Sequence, residues 1–312
     1  MKTILRSLTV TTIASALGVL VAQAGVADTG TSAGSNVYAG RSSVYQDLQV
    51  NSLESLTTPD HIMEVAQGGT APTEIWRALE HGEKVECLDC IPAVSNLLYD
   101  GNAKTREISA WWLRRRIFGV FGPGEVYSQV LSTLTTDTSE TRRAYAASAL
   151  GEFLLGAGVA PVATAAVTDT SALVRTNAVA ALERLNNEGP NGELGKALSD
   201  SSSDVRLAAL HASVRINVFS GIASIASLLS DPVPEVRRRA AEVLGVFRSS
   251  DAVVGLIALT SPNQEADPRV RTAAVAALGK IADPSAQGAV QAATTDPDAL
   301  VQSVATIALR RL

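Results

Sequence analysis

The feature that most limits what this chain can fold into is a phrase that keeps returning. "DPVPEVRRRAAEVLG" at Asp231 comes back as "DPRVRTAAVAALG" at Asp267 and as "DTSALVRTNAVAALERL" at Asp169. Anchoring on the arginine of that phrase gives Arg106, Arg143, Arg175, Arg206, Arg237 and Arg271, with Gln302 in the seventh place. The intervals are 37, 32, 31, 31, 34 and 31 residues. A steady period of this size means one supersecondary unit stacked on copies of itself.

Six residues before each anchor stand Asp100, Asp137, Asp169, Asp200, Asp231, Glu265 and Asp296. Four before it stand Asn102, Ser139, Ser171, Ser202, Val233, Asp267 and Asp298, six of which are good helix N-caps. Pro234 and Pro268 follow at the first helical position, where a missing N–H costs nothing. After the anchor, positions −1, +3, +6, +7 and +10 are mostly apolar, as in Val270, Ala274, Ala277, Leu278 and Ile281. Those steps share one helical face, and alanine at +3 and +6 lets a neighbouring helix come close. Shorter apolar runs such as "YSQVLSTL" and "VVGLIAL" precede most of the acidic positions. Each unit therefore reads as helix, capped turn, second helix.

The phrase D-x-(D/S/P)-x-x-V-R-x-x-A-x-x-A-L resembles the short HEAT-like repeats of phycobilisome lyases, over about 91–312. The resemblance implies an all-α protein, a right-handed α-solenoid of about seven helix pairs that serves as a protein-binding surface. It also implies that the acid and arginine columns form a structural ladder between repeats rather than acid–base machinery. Repeat 1 departs from the pattern at Ser109, Trp112 and Arg116, repeat 4 at Ser213 and repeat 7 at Gln302. First and last repeats fit end caps, and repeat 4 is expected to be a looser point.

Positions +1, +5 and +9 are aligned opposite the apolar face and vary freely, as solvent positions do. In the family the second helices line the concave side, so this strip is the expected inner surface. Its candidate partner-binding residues are Trp111, Arg115, Arg184, His211, Arg215 and Arg238.

Upstream, "MKTILRSLTVTTIASALGVLVAQA" has Lys2 and Arg6, an uncharged apolar run and Ala22-Gln23-Ala24. It reads as a cleavable signal peptide over 1–24, which places the mature chain outside the cytoplasm. Removing it takes the formal charge from −5 to −7, with no basic bias toward nucleic acid. The apolar stretch from Tyr145 contains Glu152, two glycines and Pro161, so it reads as helix, turn and helix rather than a membrane span. Residues 25–72 read as a flexible leader. Thr73 is expected to cap a short helix ending at Gly82, with Trp76 buried, inside a capping segment over 73–90.

That segment holds the only two cysteines, Cys87 and Cys90. A haem attachment would need histidine in place of Ile91, and a thioredoxin-like centre a βαβ setting. Zinc would need two more ligands, with only His61, His81 and His211 in the chain. A local disulfide needs only oxidising surroundings and is the reading adopted. A redox or metal-binding accessory role stays the alternative, because Cys90 begins a helix. "REISAWWLRRRIFGVFGPGEVY" gathers Trp111, Trp112 and Arg114 to Arg116, as a cap, a recognition patch or both.

Some HEAT-like proteins are enzymes, so a lyase-like accessory enzyme is a second alternative. Hydroxylases of this type bind iron through His-Glu pairs, and none occurs here; bilin lyases work in the cytoplasm. No nucleophilic triad, phosphate loop or paired carboxylates stand out. The expectation is a non-catalytic extracytoplasmic scaffold, monomeric, without cofactor or metal, that holds a protein partner.

Overall fold

Residues 58–119, 122–186, 191–216 and 219–312 are described by the computed structural model. The expected signal peptide and most of the expected leader lie outside the described residues.

From residue 90 onward the chain forms seven helix pairs. They are α3 (Cys90–Asn96) with α4 (Ala103–Ile117), α5 (Glu125–Thr136) with α6 (Glu140–Phe153), and α7 (Val159–Thr168) with α8 (Ala172–Leu185). Then come α9 (Asn191–Ala197) with α10 (Ser203–Arg215), α11 (Ile222–Ser227) with α12 (Pro234–Phe247), α13 (Val253–Ala258) with α14 (Pro268–Ile281), and α15 (Gln287–Ala293) with α16 (Ala299–Ala308). Each second helix packs on the second helix of the next pair, and the first helices form the other layer. This is an all-α solenoid. Its core is the stack of the −1, +3, +6 and +7 columns: Val270, Ala274, Ala277 and Leu278 are fully buried, as are Val174, Ala178, Ala181 and Leu182, whereas Ile281 and Leu185 at +10 are half-buried.

Glycine draws the second helices together. A Cβ on Gly151 would lie 2.8 Å from the Cα of Ala181, one on Gly245 2.9 Å from that of Ala277, and one on Gly279 2.9 Å from that of Ala308. All three glycines stand at +8 and face the +6 alanine of the next repeat. The close spacing is on the side of the second helices, the side expected to be the inner one.

The N-terminal end differs from expectation. The leader was expected to run unstructured to residue 72, but α1 (Pro59–Ala66) lies in it. Thr58 caps α1 by accepting the N–H of His61, Pro59 takes the first position, and Ile62, Val65 and Ala66 are buried. α2 (Pro72–His81) starts at Pro72 with Ala71 as its cap residue, so Thr73 is an exposed first-turn residue and makes no cap bond. α2 does end at Gly82. Trp76 is half-buried rather than core; Ile75, Ala78 and Leu79 are the buried residues of α2. With α1 against α3 and α2 against α4, this pair stacks on repeat 1 as a further, degenerate unit.

Arg116 fastens the two. Its guanidinium lies 3.4 Å from the Trp112 ring centre and donates to the carbonyls of Gly82, Glu83 and Val85 at 3.1, 2.9 and 2.6 Å. Burial lowers its pKa to about 10. The fully buried Trp112 adds an indole N–H bond to the Gly82 carbonyl. Between α4 and α5 a short antiparallel pair, β1 (Phe118–Gly119) and β2 (Gly122–Pro123), holds the longest insertion. Among the described residues no helix is long and apolar enough to cross a membrane.

Candidate functional site

The ladder sets the frame. In all seven repeats one carboxylate oxygen of the −6 acid accepts the N–H of the −4 residue, at 2.7 to 2.9 Å. In all seven the anchor side chain donates back to the carbonyl of its own −6 acid; Gln302 does so to Asp296 at 2.6 Å. That double closure fixes the turn. Among the −4 residues, Asn102, Ser139, Asp267 and Asp298 accept helix N–H groups through their side chains. Ser171 and Ser202 make no such cap bond.

The free edge of the guanidinium then crosses to the next repeat. Arg143 is bidentate to Asp169, Arg175 to Asp200, Arg206 to Asp231, Arg237 to Glu265 and Arg271 to Asp296, all at 2.6 to 2.9 Å. The Arg143 bond holds the Asp169 carboxyl below the usual range. Burial works against ionisation of Asp200, Glu265 and Asp296, but their arginine bonds and turn N–H groups outweigh it and hold them low too.

The first junction is wired differently. Asp137 is bonded by Arg142 at 2.8 Å, and the Arg142 guanidinium lies 4.1 Å from the Tyr99 ring centre. Arg106, expected to be a rung, reaches only the Asp100 and Gly101 carbonyls and stacks 3.7 Å from the Tyr145 ring centre. The cause is visible in the columns. Arg142 occupies the −1 place where later repeats have Val174, Val205, Val236, Val270 and Val301, and it captures the acid first. Asp100, at the head of its column, likewise has no arginine partner among the described ion pairs.

The candidate inner strip falls into separate clusters. Arg115 pairs with Glu83 at 2.9 Å, and Trp111 beside it is half-buried against the core. Arg184 pairs with Glu152 at 2.6 Å across α6 and α8; burial raises the pKa of Glu152, with Arg184 opposing. His211 and Arg215 converge on Glu183 at 2.7 and 3.2 Å. Arg238 is held by Glu235 and Glu242 of its own helix, and the Glu235 bond raises its pKa. The six residues therefore share an edge but not a single pocket.

Between α4, α6 and α8 that edge sinks into a groove of about 250 Å³. Arg106, Glu107, Tyr145, Glu152, Asn177 and Arg184 contribute to its lining. Of these only Arg184 was singled out from sequence as a partner contact. Tyr145 and Asn177 stand at +2, a column that changes character from repeat to repeat and gave no signal.

Cys87 and Cys90 are joined through their sulfurs, with Cα atoms 5.3 Å apart. Cys90 is fully buried and Cys87 nearly so, while Leu88 between them is 79% exposed. Among the described residues no group of His, Cys, Asp and Glu is arranged to hold a metal ion.

The fold and the ladder together define a class, an all-α solenoid of stacked helix pairs. Residues 222–310 match the family described as HEAT repeats. Among solved structures the chain is similar to Kap95p, bound in that structure to RanGDP (TM-score 0.63, 13% identity, 83% of this chain and 42% of that one). It is also similar to E. coli YibA (0.53, 20%, 78% and 98%). Human deoxyhypusine hydroxylase overlays at 0.36 with 21% identity, over 84% and 96% of the two chains. A search of curated protein sequences returns no match.

Proposed function

We propose that this chain is a non-catalytic scaffold that acts outside the cytoplasm and holds a protein partner, as a monomer, on the inner face of its solenoid. One observation carries the reading. The columns that pack repeat on repeat hold alanine, leucine and the ladder, while the adjoining edge carries Trp111, half-buried against the core, and Arg115, Arg184, His211, Arg215 and Arg238, each paired with a glutamate yet still partly open to solvent. Aromatic and arginine side chains are the usual anchors of protein interfaces. Kap95p, of the same fold, has a protein partner in its solved structure, which supports the reading by analogy.

The extracytoplasmic setting rests on the signal-like N-terminus, with Cys87–Cys90 as a structural disulfide there. A redox role is disfavoured because Cys90 is shielded from an incoming thiol. The test is capture from an extracytoplasmic extract by the parent chain, by Trp111→Ala and by the double variant His211→Ala with Arg215→Ala, read by mass spectrometry. The reading expects one protein captured by the parent and depleted by both variants, whose melting temperatures stay close to the parent's. Capture indifferent to both variants, or free thiols in the mature protein that turn over a disulfide substrate, would defeat it.

A further inference from the structure

Five ladder arginines commit both edges of the guanidinium, one to their own turn and one to the next repeat's acid. Arg106 commits only the first. Its Nε and Nη2 make no hydrogen bond to any described residue, and no described carboxylate lies within ion-pair distance. Its face is fixed on Tyr145, and its side chain lines the inner groove. Both carboxylates of that groove are already partnered, Glu107 by Lys104 at 2.9 Å and Glu152 by Arg184 at 2.6 Å. The groove therefore holds one guanidinium fork that is half-buried, stacked on Tyr145 and without a carboxylate partner among the described residues.

We infer that this groove binds a carboxylate, presented by an aspartate or glutamate side chain of the protein partner, with Arg106 as its bidentate donor. The inference rests on the scaffold reading and adds the chemistry of one contact. The same fork takes a carboxylate in five other repeats, so the match of geometry is present in the molecule itself. Stacking on Tyr145 removes much of the rotamer freedom that binding would otherwise cost. The two glutamates nearby repel a phosphate dianion more than a single carboxylate. A space of about 250 Å³ suits a side chain rather than a whole cofactor.

The molecule also supplies a variant that spares the fold. Gln302 stands in the arginine column and keeps the bond to its own turn carbonyl. Arg106→Gln should do the same and melt with the parent. The binding test is fluorescence anisotropy of the full mature chain with a labelled, end-blocked hexapeptide carrying one central glutamate, beside its glutamine and phosphoserine twins. Unlabelled acetyl-glutamate amide serves as competitor.

The glutamate peptide should bind at least about tenfold more tightly than the glutamine twin, and Arg106→Gln should remove that difference. Equal binding of the glutamate and glutamine peptides, binding indifferent to Arg106→Gln, or no binding at about 10 mM peptide overturns the inference. So does a preference for phosphoserine, which makes the site a phosphate site. Competition by acetyl-glutamate amide as strong as by the peptide makes the ligand a free acid and overturns the protein partner as its source. An Arg106→Gln chain that melts far below the parent makes Arg106 a hidden rung and overturns it as well. If peptide binding fails while capture still depends on Trp111, only the carboxylate contact falls; if capture ignores the inner face while peptide binding persists, the scaffold reading falls instead.

Discussion

The stretch from Ile222 to the C-terminus and the first junction, between α4 and α6, use the same columns for different ends. In the later repeats valine fills the −1 place, glycine at +8 brings Gly245 and Gly279 against Ala277 and Ala308, and each arginine crosses to the next acid. At the first junction −1 is Arg142, +2 is Tyr145 and +8 is Arg114, and the rung is exchanged for two cation–aromatic stacks. The regular region shows what packing alone requires.

The largest effect should come from breaking a buried rung. Arg271 and Asp296 are 4% and 0% exposed as side chains, so Arg271→Ala strands a buried carboxylate and should cost about 3–5 kcal/mol in urea melts. Arg106→Ala, with no acid to strand, should cost about 1 kcal/mol or less. Comparable losses would erase the distinction between the two regions.

Next in size is the glycine contact. Gly245→Val pushes a side chain into the backbone of Ala277 and should cost about 2–3 kcal/mol. Arg114→Ala, at the same +8 place in repeat 1, should cost under about 0.5 kcal/mol. A tolerated Gly245→Val would mean that the second helices are free to part.

The pH dependence should separate the ladder from the groove. Asp169, Asp200, Glu265 and Asp296 have lowered pKa values when folded. Their contribution is full above the unfolded value of about 4 and is lost as pH falls through the folded values. Glu152 has the opposite sign: burial raises its pKa, so stability gains slightly as pH falls through the folded value. Scanning calorimetry from about pH 7 to pH 3 should show an acid loss that shrinks in Arg271→Ala. In Glu152→Gln the slight gain preceding that loss should be missing.

The smallest predicted effect is a gain. Leu154, Asn186, Arg248 and Ala282 end their helices with φ of 56, 42, 50 and 59°. Ala282→Gly should relieve the left-handed strain and add about 0.5–1 kcal/mol, whereas Asn186 tolerates its place and should gain little from the same change.

How much of this could be read from sequence follows from what repeats. The helix pairs, the core columns and the acid column recur seven times and the arginine six, so they stand out. Which acid each arginine takes did not, because Asp200 lies six residues from Arg206 in the chain while its carboxylate partner, Asp231, lies 25 away. Glycine at +8 occurs in only three of the repeats, too few to read as a column. α1 was missed although Thr58 and Pro59 are a sound start signal, because the polar residues before them suggested a leader. The inner groove was half legible: Arg184 and Glu152 lie in the aligned columns, but Arg106 looked like any other rung until Arg142 was seen to hold Asp137.

The most direct test of the central claim, that the ladder links repeats but skips the first junction, is a pair of double-mutant cycles in urea. One pairs Arg206→Gln with Asp231→Asn, the other Arg106→Gln with Asp137→Asn. The account predicts a coupling of about 1–3 kcal/mol for the first pair and about zero for the second. Equal coupling in the two cycles would contradict it.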